Sequence, residues 1–166
     1  YNTATGQNVT EETKRNLRAL AFESLNVSSM ISFLTKDSKR TKKNIYVFTD
    51  VDCGYCRKFH KEVDLLNSKG INVHYLAFPR AGQKGETYDK MVSVWCSNDR
   101  NDALSLAKKG RKIPAKKCND PISEHFRLGL EIELKGTPAV FSEEGVELGG
   151  FIRAKDLERM LLQDKP

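Results

Sequence analysis

Two cysteines separated by two residues, Cys53-Gly54-Tyr55-Cys56, stand where one kind of hydrophobic pattern gives way to another. Before them runs a strand-like segment, Ile45-Tyr46-Val47-Phe48-Thr49; after them Cys56, Phe59, Val63 and Leu66 recur at helical spacing. Cys53 therefore falls at or just before a helix N-terminus, where unpaired backbone N–H groups and the positive end of the helix dipole favour a thiolate over a thiol. That makes Cys53 the candidate nucleophile. Cys56, one turn later on the apolar stripe, is expected to be less exposed and suits a resolving thiol. Zinc modules also use such pairs, usually on turns and with four suitably spaced ligands. Here the pair opens a crossover helix expected to end near Lys69-Gly70, and Ile71 to Phe78 reads as the next strand, which makes a βαβ unit. The redox reading follows, and a dithiol of this kind calls for no metal and no cofactor.

The flanking chain fills in an architecture. Tyr1 to Thr10 is polar and turn-rich, expected to be loose. From about Glu11 the residues Leu17, Leu20, Ala21, Ser24 and Leu25 mark an amphipathic helix fading at Asn26 to Ser29; its single modest stripe must lean on the main domain or connect to something upstream. Met30 to Leu34 reads as a short strand, joined through the polar Lys36 to Lys43 loop to the strand before the cysteines, and the two are expected to pair as a hairpin. Beyond Ile71 to Phe78, Pro79 cannot donate to a ladder and ends the strand.

Gly82 and Gly85 form a turn, and Tyr88, Met91, Val92, Trp95 and Cys96 then make one buried helical face. Ala103, Leu104 and Ala107 belong to a second helix closed by Lys108-Lys109-Gly110, with basic residues at the negative end of the dipole. Asp120-Pro121 opens a third through Ile122, Phe126 and Leu130. Pro138 to Phe141 and Val146 to Phe151 read as a hairpin about Ser142 to Gly145, and Leu157, Met160 and Leu161 supply a last helix. The fold class is α/β: a βαβ unit plus a ββα unit, with a helical insertion over about 86–132 and an N-terminal linker helix. The chain divides into a polar segment and linker helix over 1–29 and a catalytic domain over 30–166.

At 166 residues there is room for one well-packed domain and an appendage. The net charge of +6 comes from basic residues that are scattered and accompanied by acids, so it reads as a solvated surface rather than a nucleic-acid patch; no helix-turn-helix, zinc-finger or RNP signature is present. No apolar run approaches the ~18 residues of a membrane span, and no signal peptide is evident at the front. Since the sequence starts at Tyr1 rather than Met, a leader or more is expected to have been removed. Four cysteines permit three pairings. With Cys53 and Cys56 already adjacent, Cys96 with Cys118 is the natural second pair, a bond worth about 3 kcal/mol by loop closure and stable only in an oxidising compartment; the alternative is two buried free thiols.

Taken in order, Phe48-Thr49-Asp50 before Cys53-Gly54-Tyr55-Cys56, Tyr75-Leu76-Ala77-Phe78-Pro79-Arg80, Trp95-Cys96 and Gly136-Thr137-Pro138-Ala139-Val140 resemble thioredoxin-fold oxidoreductases. More narrowly they resemble the catalytic domain of the DsbC and DsbG group of bacterial periplasmic disulfide isomerases, with Gly-Tyr between the cysteines as in the DsbC type. The resemblance covers Met30 to the C-terminus. It implies a thioredoxin-like fold, a cis-Pro138 facing the thiol pair with Thr137 beside it as the edge on which substrate lies, and a structural Cys96–Cys118 disulfide. It implies disulfide-bearing, misfolded protein clients, a membrane thiol reductase of the DsbD type as partner, a periplasmic location, and a homodimer formed through an upstream domain that this sequence does not contain.

Thioredoxin relatives commonly carry a buried acid six residues before the first cysteine, where this sequence has Val47; Asp50 and Asp52 are the nearest acids. Asp52 beside Cys53 would oppose its ionisation unless turned to solvent, and it is given no catalytic role. His60 could complete a Cys/Cys/His ligand set or tune a thiol, but reads best as a partly exposed helix residue. Tyr55 is expected to shape the client side of the dithiol; Arg80 either holds the nearby loop or is simply solvated. The function expected is a disulfide isomerase and reductase acting through the Cys53–Cys56 pair. The alternatives are a client-binding chaperone module with secondary redox activity and a dithiol oxidase.

Overall fold

A computed structural model of the chain describes residues 9–163. Residues 1–8, most of the segment expected to be loose, lie outside the described residues, while Val9 and Thr10 already belong to the first helix, α1 (Val9–Ser24).

Five strands, β1 (Ile31–Phe33), β2 (Lys43–Thr49), β3 (Ile71–Ala77), β4 (Ala139–Ser142) and β5 (Glu147–Gly149), form one sheet in the order β1-β3-β2-β4-β5. The central strand is β2. It runs parallel to β3, from Lys43 opposite Ile71 to Thr49 opposite Ala77, and antiparallel to β4, from Ile45 opposite Ser142 to Phe48 opposite Ala139. Alternation along β2 sends its side chains to two cores. Ile45 and Val47 join Phe59, Leu66, Val73, Tyr75, Met91, Trp95 and Leu104 on one face; Phe48 joins Phe22, Met30, Leu76, Phe78 and Phe141 on the other. With both faces covered, every residue of β3 is buried.

The hairpin expected between Met30–Leu34 and the strand before the cysteines does not form. β1 pairs antiparallel with β3, Ile31 opposite Tyr75 and Phe33 opposite Val73. Both edges of β2 are taken, one by the crossover strand β3 and one by β4, so β1 adds at the free edge of β3. Asn67 Nδ2 donates to the carbonyls of Phe33 and Ile71, and Asn72 accepts from the Thr35 amide, which fastens that edge.

The crossover helix is two helices, α2 (Gly54–His60) and α3 (Val63–Ser68). Between them the Lys61 amide bonds back to Lys58 and that of Glu62 to Phe59, the tighter i→i+3 pattern. The freed Glu62 carboxylate accepts from the Ala154 amide at 2.9 Å and so ties the break to α7 (Ala154–Glu158), which runs on into a π-helical turn over 159–163. The insertion holds α4 (Glu86–Trp95), α5 (Arg100–Lys108) and α6 (Ile122–Glu131). A Cys96–Cys118 disulfide joins the end of α4 to the segment leading into α6. In α6 the buried His125 accepts from the Ala77 amide through Nδ1, which leaves Nε2–H to reach Ser29 Oγ; burial pushes its pKa down to about 4, and the neutral ring pins the end of β3.

The inward face of α1 is not the leucine stripe read from spacing. Leu17 and Leu20 are each 61% exposed, whereas Arg18 and Phe22 are buried. Phe22 stacks on Tyr46 at 4.6 Å between ring centroids and meets Phe48 and Phe141. The Arg18 guanidinium lies over Phe141, donates to the Gly145 carbonyl at 2.8 Å and pairs with Glu11. An aromatic cluster with a cation on its rim outweighs two leucines left largely in solvent. The β4–β5 turn is shaped to receive this helix: Gly145 has φ of +79°, and a Cβ there would run into the α1 backbone at Arg15 and Ala19. Among the described residues no helix is long and apolar enough to cross a membrane.

If Phe22 fastens α1 as part of the domain, Phe22→Ala should lower stability by about 3–5 kcal/mol, as for other buried aromatic truncations. Equilibrium urea unfolding followed by tryptophan fluorescence reads this; a loss well under about 1 kcal/mol would mean α1 is a detachable connector.

Candidate active site

β2 delivers the chain to the site through a turn built on Asp50. Its buried carboxylate accepts from the Asp52 amide at 2.8 Å on one oxygen and from the Arg80 amide and Nε, at 2.9 and 3.0 Å, on the other. One side chain thus joins the turn after β2 to the turn after β3 and holds Arg80 at the site, so Arg80 is not a free surface cation. Cys53 follows as N-cap of α2, its sulfur accepting from the Cys56 amide at 3.3 Å.

From the opposite side comes the segment before β4. The Thr137–Pro138 peptide is cis, and the Thr137 carbonyl lies 3.4 Å from the Cys53 sulfur, which donates to it as a thiol. The Thr137 hydroxyl is buried without a hydrogen-bond partner among the described residues. It is available to turn to whichever sulfur is ionised. Beside the pair opens a cleft of about 400 Å³ lined by Tyr55, Thr137, Pro138, Ala139, Gly150 and Phe151, among others. Tyr55 is 63% exposed and its ring lies 6.3 Å from that of Phe151, over which Lys58 places its ammonium.

The two sulfurs are unequal. Both cysteines are buried, Cys53 at 3% exposure and Cys56 at none. For Cys53 burial opposes ionisation, but the Thr137 hydroxyl once turned to the thiolate, Cys56 with its amide, and the Arg80 charge outweigh it, so its pKa lies below that of an ordinary thiol. For Cys56 deeper burial wins over the Lys108 charge and Thr137, and its pKa lies above. Asp52 is kept from opposing Cys53 by partners rather than by turning to solvent. It accepts from Thr87 Oγ1 and is ion-paired with Lys90 and Arg57; despite the cost of burial, these hold its carboxyl below the usual range and spend its charge locally.

His60 touches neither sulfur. Its ring nitrogens are bonded to Tyr75 Oη and Ser105 Oγ, each at 2.9 Å, and burial with the charges of Lys108 and Lys109 pushes its pKa down to about 3. Val47, in the apolar core, brings no acid. The residue that apolar helical spacing does not single out is Lys108, one of the basic residues expected at the negative end of the α5 dipole. It is 4% exposed, and its ammonium reaches under α2. One signal was available: Lys108 follows Leu104 by four residues and so falls on the apolar stripe of α5, where a charge needs a partner.

These features define a dithiol site of the thioredoxin type, and the chain belongs to the thioredoxin-like domain family, which it matches over residues 34–165. Within it, the chain is similar to proteins named thiol:disulfide interchange protein DsbC: 37% identical over 132 residues to that of Salmonella typhimurium (80% of this chain, 54% of the relative), and 39% over 120 residues to that of Dickeya dadantii (72% and 50%). The chain spans about half the length of the curated relatives it matches. Its fold is shared with a disulfide interchange protein from Neisseria gonorrhoeae, with TM-score 0.71 at 22% identity covering 84% of this chain and 98% of that one. The catalytic domain of Proteus mirabilis ScsC has TM-score 0.67 at 19% identity, covering 88% and 96%.

The depressed pKa of Cys53 has a consequence for stability. In reduced Cys56→Ala protein Cys53 is the one free thiol, and the unfolded chain holds its proton up to ~8.5. Folding favours the thiolate, so the contribution is fully present above ~8.5 and is lost as pH falls through the lower folded value. Measured by urea unfolding, the stability difference between Cys56→Ala and Cys53→Ser/Cys56→Ala should rise with pH across that window. Arg80→Met should narrow the window from its lower end. A difference flat in pH would show that the site does not favour the thiolate.

Proposed function

We propose that this chain is the catalytic domain of a periplasmic thiol–disulfide isomerase and reductase. The observation that carries the proposal is the seat of the Cys53 sulfur: at the N-terminus of α2, against the Thr137 carbonyl, beside a cleft with Tyr55 and Phe151 on its rim. The names of the DsbC relatives support the same reading. Thr137 and Pro138 form the edge along which an extended client segment lies, and Tyr55 shapes its approach.

The Cys53 thiolate attacks one sulfur of a wrong client disulfide. A bond forms between Cys53 and that sulfur, and the other client sulfur leaves as a thiolate. A client thiolate then displaces Cys53 as the correct pair forms, with no net redox change. If the client stalls, Cys56 displaces it and leaves a Cys53–Cys56 disulfide, which a membrane thiol reductase of the DsbD type returns to the dithiol. In the full-length protein an upstream domain supplies the homodimer. The Cys96–Cys118 bond is structural and sits at a lower potential than the active pair, so mild dithiothreitol should reduce Cys53–Cys56 while leaving it closed.

Isomerisation and net electron transfer depend differently on Cys56. On a scrambled multi-disulfide substrate with trace thiol, Cys53→Ser should abolish recovery, while Cys56→Ala should keep a measurable fraction and accumulate mixed disulfides. Recovery by Cys53→Ser equal to the parent would replace this reading with that of a client-binding module. Recovery of reduced but not scrambled substrate would point to a dithiol oxidase.

A further inference from the structure

Lys108 is a charged side chain where the packing allows no solvent. Its ammonium donates to Thr49 Oγ1 at 2.6 Å and to the Cys56 carbonyl at 3.4 Å, and lies 5.1 Å from the centroid of the Tyr75 ring. Thr49 and Tyr75 are themselves wholly buried. No carboxylate holds this cation: the ion pairs of the described residues do not include Lys108. Burying an unpaired ammonium is costly, and folds retain one where something offsets the cost. Here the offset is a carbonyl, a hydroxyl, a ring face, the charge of Asp50, which makes no ion pair with it, and the two sulfurs. Only the sulfurs change charge during disulfide exchange.

We propose that Lys108 is a positioning residue for the resolving step, a fixed cation beneath α2 that stabilises Cys56 as a thiolate when it attacks the mixed disulfide on Cys53. The proposal rests on the assignment of Cys56 as the resolving thiol. In that step Cys56 Sγ gives up its proton and bonds to Cys53 Sγ, the Cys53–client bond breaks, and the electron pair leaves on the client sulfur, which takes up a proton. The cysteine pair is oxidised and the client reduced, with no other reactant needed. Without a nearby positive charge, a fully buried Cys56 would reach the thiolate only at high pH.

Several charged and titratable groups face the pair. Cys53 faces it from the N-cap of α2, Arg57 and His60 from α2 itself, Asp50 and Arg80 from the turns beyond β2 and β3, and Tyr75 from β3. Burial pushes the pKa of Lys108 down to about 8, against the opposing pull of Cys56, Cys53 and Asp50. Each charge acts on the other's titration: a Cys56 thiolate raises the pKa of Lys108, and the Lys108 ammonium lowers that of Cys56.

The test is read on the whole chain, without client. In reduced Cys53→Ser protein Cys56 is the one free thiol, and its thiolate absorbance near 240 nm is followed against pH. Lys108→Met on that background should shift the curve upward by about one pH unit, a roughly tenfold drop in thiolate at neutral pH; Lys108→Arg should restore most of it. In protein with both cysteines, Lys108→Met should slow release of a preformed Cys53 mixed disulfide by about the same factor, with the loss shrinking as pH rises.

Should Lys108→Met fail to fold, the lysine can be left in place. The ¹³Cε resonance of Lys108 is then titrated in Cys53→Ser and in Cys53→Ser/Cys56→Ala. A higher Lys108 midpoint when Cys56 is present sustains the proposal. An unmoved thiolate curve in folded Lys108→Met, or equal Lys108 midpoints in the two variants, overturns it and leaves Lys108 a packing residue. Neither curve depends on isomerase activity, so its failure is separable from failure of the function proposed above.

Discussion

The register of β2 against its two neighbours is the constraint on which the site depends. Parallel pairing with β3 sets the ends of β2 and β3 side by side, so that Asp50 can bridge to Arg80. Antiparallel pairing with β4, Phe48 opposite Ala139, brings Thr137 and Pro138 to the same end of the sheet as Cys53. A slip of one residue on either side would turn Phe48 and Val47 into each other's cores and carry the Thr137 carbonyl away from the sulfur. The two hydrophobic cores that lock this register are therefore also what positions the chemistry.

Given that placement, local electrostatics separate two thiols that the sequence writes as equals. Cys53 has a helix N-terminus, an amide on its sulfur, the Thr137 hydroxyl and Arg80. Cys56 has deeper burial, opposed by Lys108. The nearby acids are kept from undoing this. Asp50 is engaged by Arg80 and two amides, and Asp52 by Lys90, Arg57 and Thr87. A dithiol whose first sulfur ionises readily and whose second is held back can dwell in a mixed disulfide long enough for a client thiol to compete, which suits isomerisation better than rapid net reduction.

Much of this was legible in the residues. The strand run before Cys53, the helical stripe after it and the largely apolar run of β3, broken only by Asn72 and His74, are local patterns, and local patterns report on local structure. Which strand pairs with which is not local: nearness in sequence points β1 to β2, whereas the free edge belongs to β3. Leucine spacing does not give the inward face of α1, because Leu17 and Leu20 stay exposed while Phe22 stacks on Tyr46 and meets Phe48 and Phe141. Lys108 was hidden for a related reason. A lysine near a helix C-terminus usually completes the dipole in solvent, and only its place on the apolar stripe of α5 marked it as different.

The central claim is that the fold makes Cys53, and not Cys56, the reactive thiol. The most direct measurement is the rate at which each is alkylated by iodoacetamide in the reduced protein as a function of pH, resolved by peptide mass. The account predicts that Cys53 is modified first, at mildly acidic pH where an ordinary thiol near ~8.5 is unreactive, with Cys56 following only above neutrality. Equal rates at the two cysteines, or earlier modification of Cys56, would contradict it.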